Sequence, residues 1–122
     1  MGENITLNSG ATNTLATVAG TTTTYSGVIS DLTTGGALTV GDTVNNGTVI
    51  LTGANTYSAG TTINAATLEA SNNSALGTGG LTLNSSGTLE VNTSALAVAS
   101  LRGSGTINLL PGSGLNLDTT EI

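Results

Sequence analysis

The chain contains no cysteine, histidine, tryptophan, phenylalanine or lysine. Without His and Cys, zinc, haem and iron–sulfur centres lose their usual ligands. Neither a Ser–His nor a Cys–His pair can be assembled within the chain. A chain without Cys is compatible with any redox compartment. Arg102 is the sole base against seven acids, giving a formal charge of −6. Nucleic-acid binding rests on a basic face and commonly on aromatic stacking, so no nucleic-acid partner is expected. No apolar run is long enough for a transmembrane helix. Met1-Gly2-Glu3-Asn4 offers neither the basic nor the apolar part of a signal peptide, so the chain reads as a mature or excised piece.

What is present is narrow. Gly, Ser, Thr and Asn together fill more than half of the chain, and Leu, Ile and Val supply most of its apolar content. Mean hydropathy is +0.24. That aliphatic content exceeds what marks a disordered chain. Small aliphatic side chains suit a thin, repetitive core rather than a bulky globular one. Thr favours strands, and Gly and Asn favour tight turns. The expectation is an all-β fold with little or no helix.

Apolar residues recur at i and i+2 in Ile5/Leu7, Leu38/Val40, Val49/Leu51, Leu81/Leu83, Leu89/Val91, Leu96/Val98, Ile107/Leu109 and Leu115/Leu117. A period of two puts one face inward and one outward. Turn formers separate these segments: Asn45-Asn46-Gly47, Ser71-Asn72-Asn73-Ser74, Gly77-Thr78-Gly79-Gly80 and Ser85-Ser86-Gly87. Three such strands would complete a coil of roughly 22–28 residues, in the range of solenoid repeats. About five coils would then form a column roughly 25 Å tall. A β-sandwich would also show short strands, but its core usually takes larger side chains. The reading is one β-solenoid domain over residues 1–122. The Thr runs, Thr21–Thr24 and Thr33-Thr34, read as solvent-facing strand or turn. An ice-binding array would need Thr-x-Thr at one place in every coil. Thr12/Thr14, Thr22/Thr24 and Thr61/Thr62 show no such common register in the sequence.

The stretch from Gly47 to Ala70, GTVILTGANTYSAGTTINAATLEA, resembles the autotransporter-associated β-strand repeat, also called the passenger-associated transport repeat. Gly47, Leu51, Gly53, Asn55, Thr56, Tyr57, Gly60, Thr61, Ile63 and Leu68 fall on or beside its marked positions. Asn-Thr-Tyr followed by Gly is the most specific part. Flanking segments extend the resemblance over about residues 25–117. Three departures stand out. Val40 sits near a position usually held by Lys, Asp42–Asn46 lengthens a turn, and Ala59 and Ala66 stand where Gly is common. A turn needing positive φ would penalise those alanines, so either ordinary φ there or a slightly reshaped coil is expected.

The resemblance implies a right-handed parallel β-helix in a secreted bacterial passenger, extracellular or at the cell surface. It implies a stalk that assists secretion or display, meeting neighbouring passenger coils and a cell surface or glycan. It implies no catalytic site, cofactor or metal. On their own residues, Asn55 reads as a turn cap and Tyr57 as a cover for the column, with a ligand-stacking tyrosine as the sharper alternative. Glu69 and Glu90 should point outward and would form a pair if their coils stack. That is the arrangement a β-helical carbohydrate-active enzyme would need, and solubilising charge is the plainer reading. Neither end of the sequence shows a capping element, so end-to-end self-association into a fibre is the rival structural role.

Overall fold

The computed structural model describes residues 2–117. Among these there is no helix. Fourteen short strands wind as a parallel β-solenoid of about five turns. Turn 1 holds β1 (Ile5–Leu7), β2 (Thr12–Leu15) and β3 (Thr22–Tyr25). Turn 2 holds β4 (Ile29–Asp31), β5 (Ala37–Val40) and β6 (Thr48–Leu51). Turn 3 contributes β7 (Thr61–Ile63) and β8 (Thr67–Ala70), and turn 4 contributes β9 (Leu81–Leu83) and β10 (Thr88–Val91). Turn 5 holds β11 (Leu96–Val98), β12 (Leu101–Gly103) and β13 (Thr106–Leu109), and β14 (Leu115–Leu117) begins the next. All eight apolar pairs read from the sequence lie in strands.

Two five-stranded parallel sheets form two faces. The first runs β2-β5-β7-β9-β12 and the second β3-β6-β8-β10-β13. The third face is strand-paired only at its ends, as β1-β4 and β11-β14. On the first face Thr12 lies over Ala37, Leu38 over Thr61, Thr61 over Leu81, and Leu81 over Leu101. On the second face one row runs Thr22, Thr48, Thr67, Thr88, Thr106. On both faces the step in sequence from one rung to the next is longest at the start of the chain and shorter in the later turns. The later turns are thus tighter than the coil length expected from the strand spacing.

Alternation dictates the core. Val49, Leu68 and Leu89 stack on the inner side of the second face, beside Leu51, Ala70 and Val91. All six are fully buried. From the first face Leu38, Val40, Ile63, Leu81 and Leu83 close the column. Burying a Val, Leu or Ile side chain in this way contributes about 1.5–3 kcal/mol. Because rungs sit about 4.8 Å apart, each inner side chain packs on its counterparts above and below.

As the sequence indicated, Thr12/Thr14, Thr22/Thr24 and Thr61/Thr62 do not share one register, but single threonines do align from turn to turn. Thr22, Thr48, Thr67, Thr88 and Thr106 form one outward row on the second face. Thr14, Thr39, Thr62 and Thr82 form another on the first, ending at Arg102. These are single rows on separate faces, not a paired Thr-x-Thr lattice. Beside the longer row stand Thr24, Ile50, Glu69, Glu90 and Asn108, which break any uniform hydroxyl surface. The rows suit sheet stability, since β-branched cross-strand pairs contribute about 0.2–1 kcal/mol each.

Candidate functional site

The motif residues run from Gly47 and Leu51 in turn 2 through turn 3, and nearly all face inward. Leu51, Ile63 and Leu68 are core. After β6 the chain leaves strand geometry, and a side chain supplements the scattered backbone hydrogen bonds that cross the third face. Asn55 is buried, its Oδ1 accepting from Ile29 N–H at 2.8 Å and its Nδ2 donating to Ala75 O at 2.7 Å. One amide thereby joins turns 2, 3 and 4 where no strand does so. An unmet buried donor and acceptor would each cost about 1–3 kcal/mol. Thr56 is exposed, and its N–H donates to Ile29 O at 2.8 Å.

Tyr57 is fully buried, and its hydroxyl is hydrogen-bonded to Thr61 Oγ1. Burial pushes the phenol far above its ordinary pKa, so the ring acts as neutral filler. It presents no face to a ligand, which removes the ligand-stacking reading for this residue. Thr61 occupies an inward position on β7 that a Leu holds on both neighbouring strands, and the Tyr57 hydroxyl satisfies it there.

The motif glycines mark close backbone approaches. At Gly53 an added Cβ would fall 2.3 Å from Gly27 O, and at Gly47 it would fall 2.4 Å from Val18 O. Gly60 has φ of 104°, a conformation that L side chains rarely adopt. Of the two expected alternatives, Ala59 and Ala66 show ordinary φ. Ala66 is accommodated by an exchange with the turn above: Gly41, at φ +83°, lies where a Cβ would meet Ala66 Cβ at 2.4 Å.

Two acid arrangements span neighbouring turns. Asp31, at the end of β4, was not singled out from the sequence. Its Oδ2 accepts from Ser58 Oγ at 2.6 Å, Ser58 N–H at 3.0 Å, Gly36 N–H at 3.1 Å and Gly35 N–H at 3.2 Å. The Ser58 hydroxyl, then the Gly36 N–H, hold its carboxyl below the usual aspartate value. Ser58 lies in the next turn, so Asp31 clamps turn 2 to turn 3. Glu69 and Glu90 are register partners on β8 and β10, the pair foreseen if the coils stacked. Ser71 Oγ and Asn92 Nδ2 both donate to Glu69 Oε2, at 2.9 and 3.1 Å. No third acid joins them: no cluster of three metal-ligating side chains occurs among the described residues. No described helix is long and apolar enough to cross a membrane.

The corner joining the first and second faces changes length along the column. It spans 16–21 in turn 1 and 41–47 in turn 2, then only 64–66, 84–87 and 104–105. The long turn-2 loop is self-braced. Asp42 Oδ1 accepts from Asn45 N–H at 2.6 Å and Val44 N–H at 2.8 Å, which lowers its pKa. Where this loop meets the tight corners there is an open trench of about 420 Å³. Asp42 and Thr43 line one side, and Asn64, Ala65, Asn84, Ser85 and Ser86 line the rest. Asn84 Nδ2 donates to Asn64 Oδ1, and Asn64 Nδ2 donates to Gly41 O at 3.4 Å, forming a short amide ladder across turns 2–4.

The fold defines the class: a parallel β-solenoid whose motif residues serve stacking. Residues 44–70 match the family model of the passenger-associated-transport-repeat. The matched segment runs from the Asp42–Asn46 loop through β6, β7 and β8, slightly more than one turn of the solenoid. Compared with curated proteins and with solved structures, the chain matches none.

Proposed function

We propose that the chain is a non-enzymatic structural module of an autotransporter-like passenger, extracellular or at the bacterial surface, where stacked turns extend a stalk and aid its secretion. The observation that carries this reading is the coincidence of the transport-repeat match with one stacking turn, whose inner rows run unbroken into its neighbours. Such a turn adds length without new design, since it contacts only the turns above and below. The test is to duplicate a turn by inserting a second copy of residues 67–87. The expected product keeps its far-UV signature, and small-angle scattering shows it longer by about 4.8 Å. Placed between a signal peptide and an outer-membrane barrel in a Gram-negative host, the chain should reach external protease. Retention in the periplasm, together with collapse of the duplicated-turn protein, would overturn the reading.

A second reading, end-to-end stacking into fibres, is favoured by one observation. In the last described turn Leu109 is 54% exposed and Leu117 40%, at positions of the inward-facing kind in the turns above. Stacking of β12–β14 on the β1–β3 edge of another copy would cover them and continue the Thr22 row. Negative-stain microscopy across a concentration series should then show filaments, and monodisperse particles throughout would sink this reading.

A further inference from the structure

The trench at the first corner is required neither by the core nor by the repeat. It exists because the long corner of turn 2, at 41–47, is followed by the short corners at 64–66 and 84–87. Insertions that collect on one edge of a solenoid commonly mark its binding edge. We propose that this trench binds a segment of a neutral glycan.

The lining carries the argument. Sugar hydroxyls both donate and accept, and they are met by groups of both kinds. Asp42 supplies a carboxylate acceptor, Asn64 and Asn84 supply carboxamides, and Thr43, Ser85 and Ser86 supply hydroxyls. Ala65 adds an apolar spot for a ring face. The groups are held in place beforehand. Asp42 is fixed by the backbone of its own loop, and the two asparagines by their ladder, so little ordering is left to binding. Asn84 is exposed and spends an amide hydrogen on Asn64, which leaves its Oδ1 as an acceptor. The volume lies within the range of ligand sites, about 300–1,000 Å³.

Charge selects among glycans. The trench holds a carboxylate and no base, on a chain of formal charge −6. An acidic polysaccharide would be repelled. An extended peptide is disfavoured for another reason. The strands that flank the trench floor, β7 to β10, are paired on both sides, so no edge is open for strand addition.

The test is an amide NMR titration of the full chain with neutral hexasaccharides of glucose, mannose and N-acetylglucosamine, and with hexagalacturonate as the acidic counterpart. At least one neutral sugar should shift the amides of Thr43, Ala65, Ser85 and Ser86 together. Asn84→Ala should weaken that binding roughly fivefold, the loss of one hydrogen bond. Thr82→Ala, on the outward row of the first face, should leave it unchanged. Thermal melts of both variants establish that they remain folded. Absence of localised shifts with every neutral sugar at millimolar concentration overturns the proposal. So does binding of hexagalacturonate at least as tight, or shifts confined to another face. None of these failures touches the structural-module reading, which depends on stacking alone.

Discussion

Turns 1 and 2 differ from turns 3 to 5 in what their length is used for. The early turns take longer to return to register: Thr22 meets its partner only at Thr48, whereas Thr88 meets its own at Thr106. The surplus lies largely in corners, not strands. Inner positions differ too. Turn 1 places Asn13 and Thr23 where turns 2 and 4 place Leu38, Val49, Leu81 and Leu89. A solenoid can therefore vary its corners freely while its middle rungs stay apolar except at Thr61, which Tyr57 satisfies, and the stability of the column should concentrate in those rungs. Paired truncations in chemical denaturation test this. Leu68→Ala, at a fully buried site, should cost about 3 kcal/mol. Leu15→Ala, on the half-buried first rung, should cost about 1 kcal/mol. Equal losses would mean that the first rung is as tightly held as the third, and the contrast would fail.

The two regions are joined at Asp31, whose carboxylate reaches from turn 2 to Ser58 in turn 3. Its pKa in the folded chain lies below that of the unfolded chain. The stabilisation is therefore complete above the ordinary aspartate value of about 3.9 and is lost as pH falls through the lower folded value. Asp31→Asn should lower the melting temperature at pH 7, and the gap from the parent should close progressively below about pH 4. A gap that persists unchanged into strong acid would show that the carboxylate's charge contributes nothing to the clamp. Asp31 is partly exposed, so this effect should fall below that of Leu68.

The difference between the two regions also governs what could be read from the sequence. Strands with two aliphatic residues at inner positions were legible from alternation alone, from Ile5/Leu7 to Leu115/Leu117. β2, β3 and β12 were not, because Asn13, Thr23 and Gly103 occupy inner positions there. β7 was hidden in the same way by Thr61, whose polarity is met only by Tyr57 in the folded chain. The threonine rows were invisible for a geometric reason. Positions 22, 48, 67, 88 and 106 are unevenly spaced, and they align only once the unequal corners are known. The lengthened turn at Asp42–Asn46 was legible, but the trench beside it was not, since it depends on how two shorter corners stack below. Asp31 escaped because its Ser58 partner is 27 residues away.

One atom in the early turns runs against the rule that buried polar groups are paired. Thr17 is 5% exposed, and its Oγ1 makes no hydrogen bond among the described residues. Its backbone is well used, since Thr17 O accepts from Gly47 N–H at 2.9 Å. The hydroxyl therefore contributes volume without a bond, and its desolvation is uncompensated. Replacing it with a methyl of similar size keeps the packing and removes that penalty. Thr17→Val should stabilise the protein by about 1 kcal/mol, read as a shift in the denaturation midpoint at unchanged slope. The matching change in the middle of the column has the opposite expectation. Thr61→Val removes the hydroxyl that satisfies Tyr57, so it should cost about 1 kcal/mol. Two chemically identical substitutions at inward threonines with opposite signs would show that the long first corner tolerates an unmet polar group that the tight rungs do not. If both lose stability, Thr17 is hydrogen-bonded in solution, and the early corners are as well satisfied as the late ones.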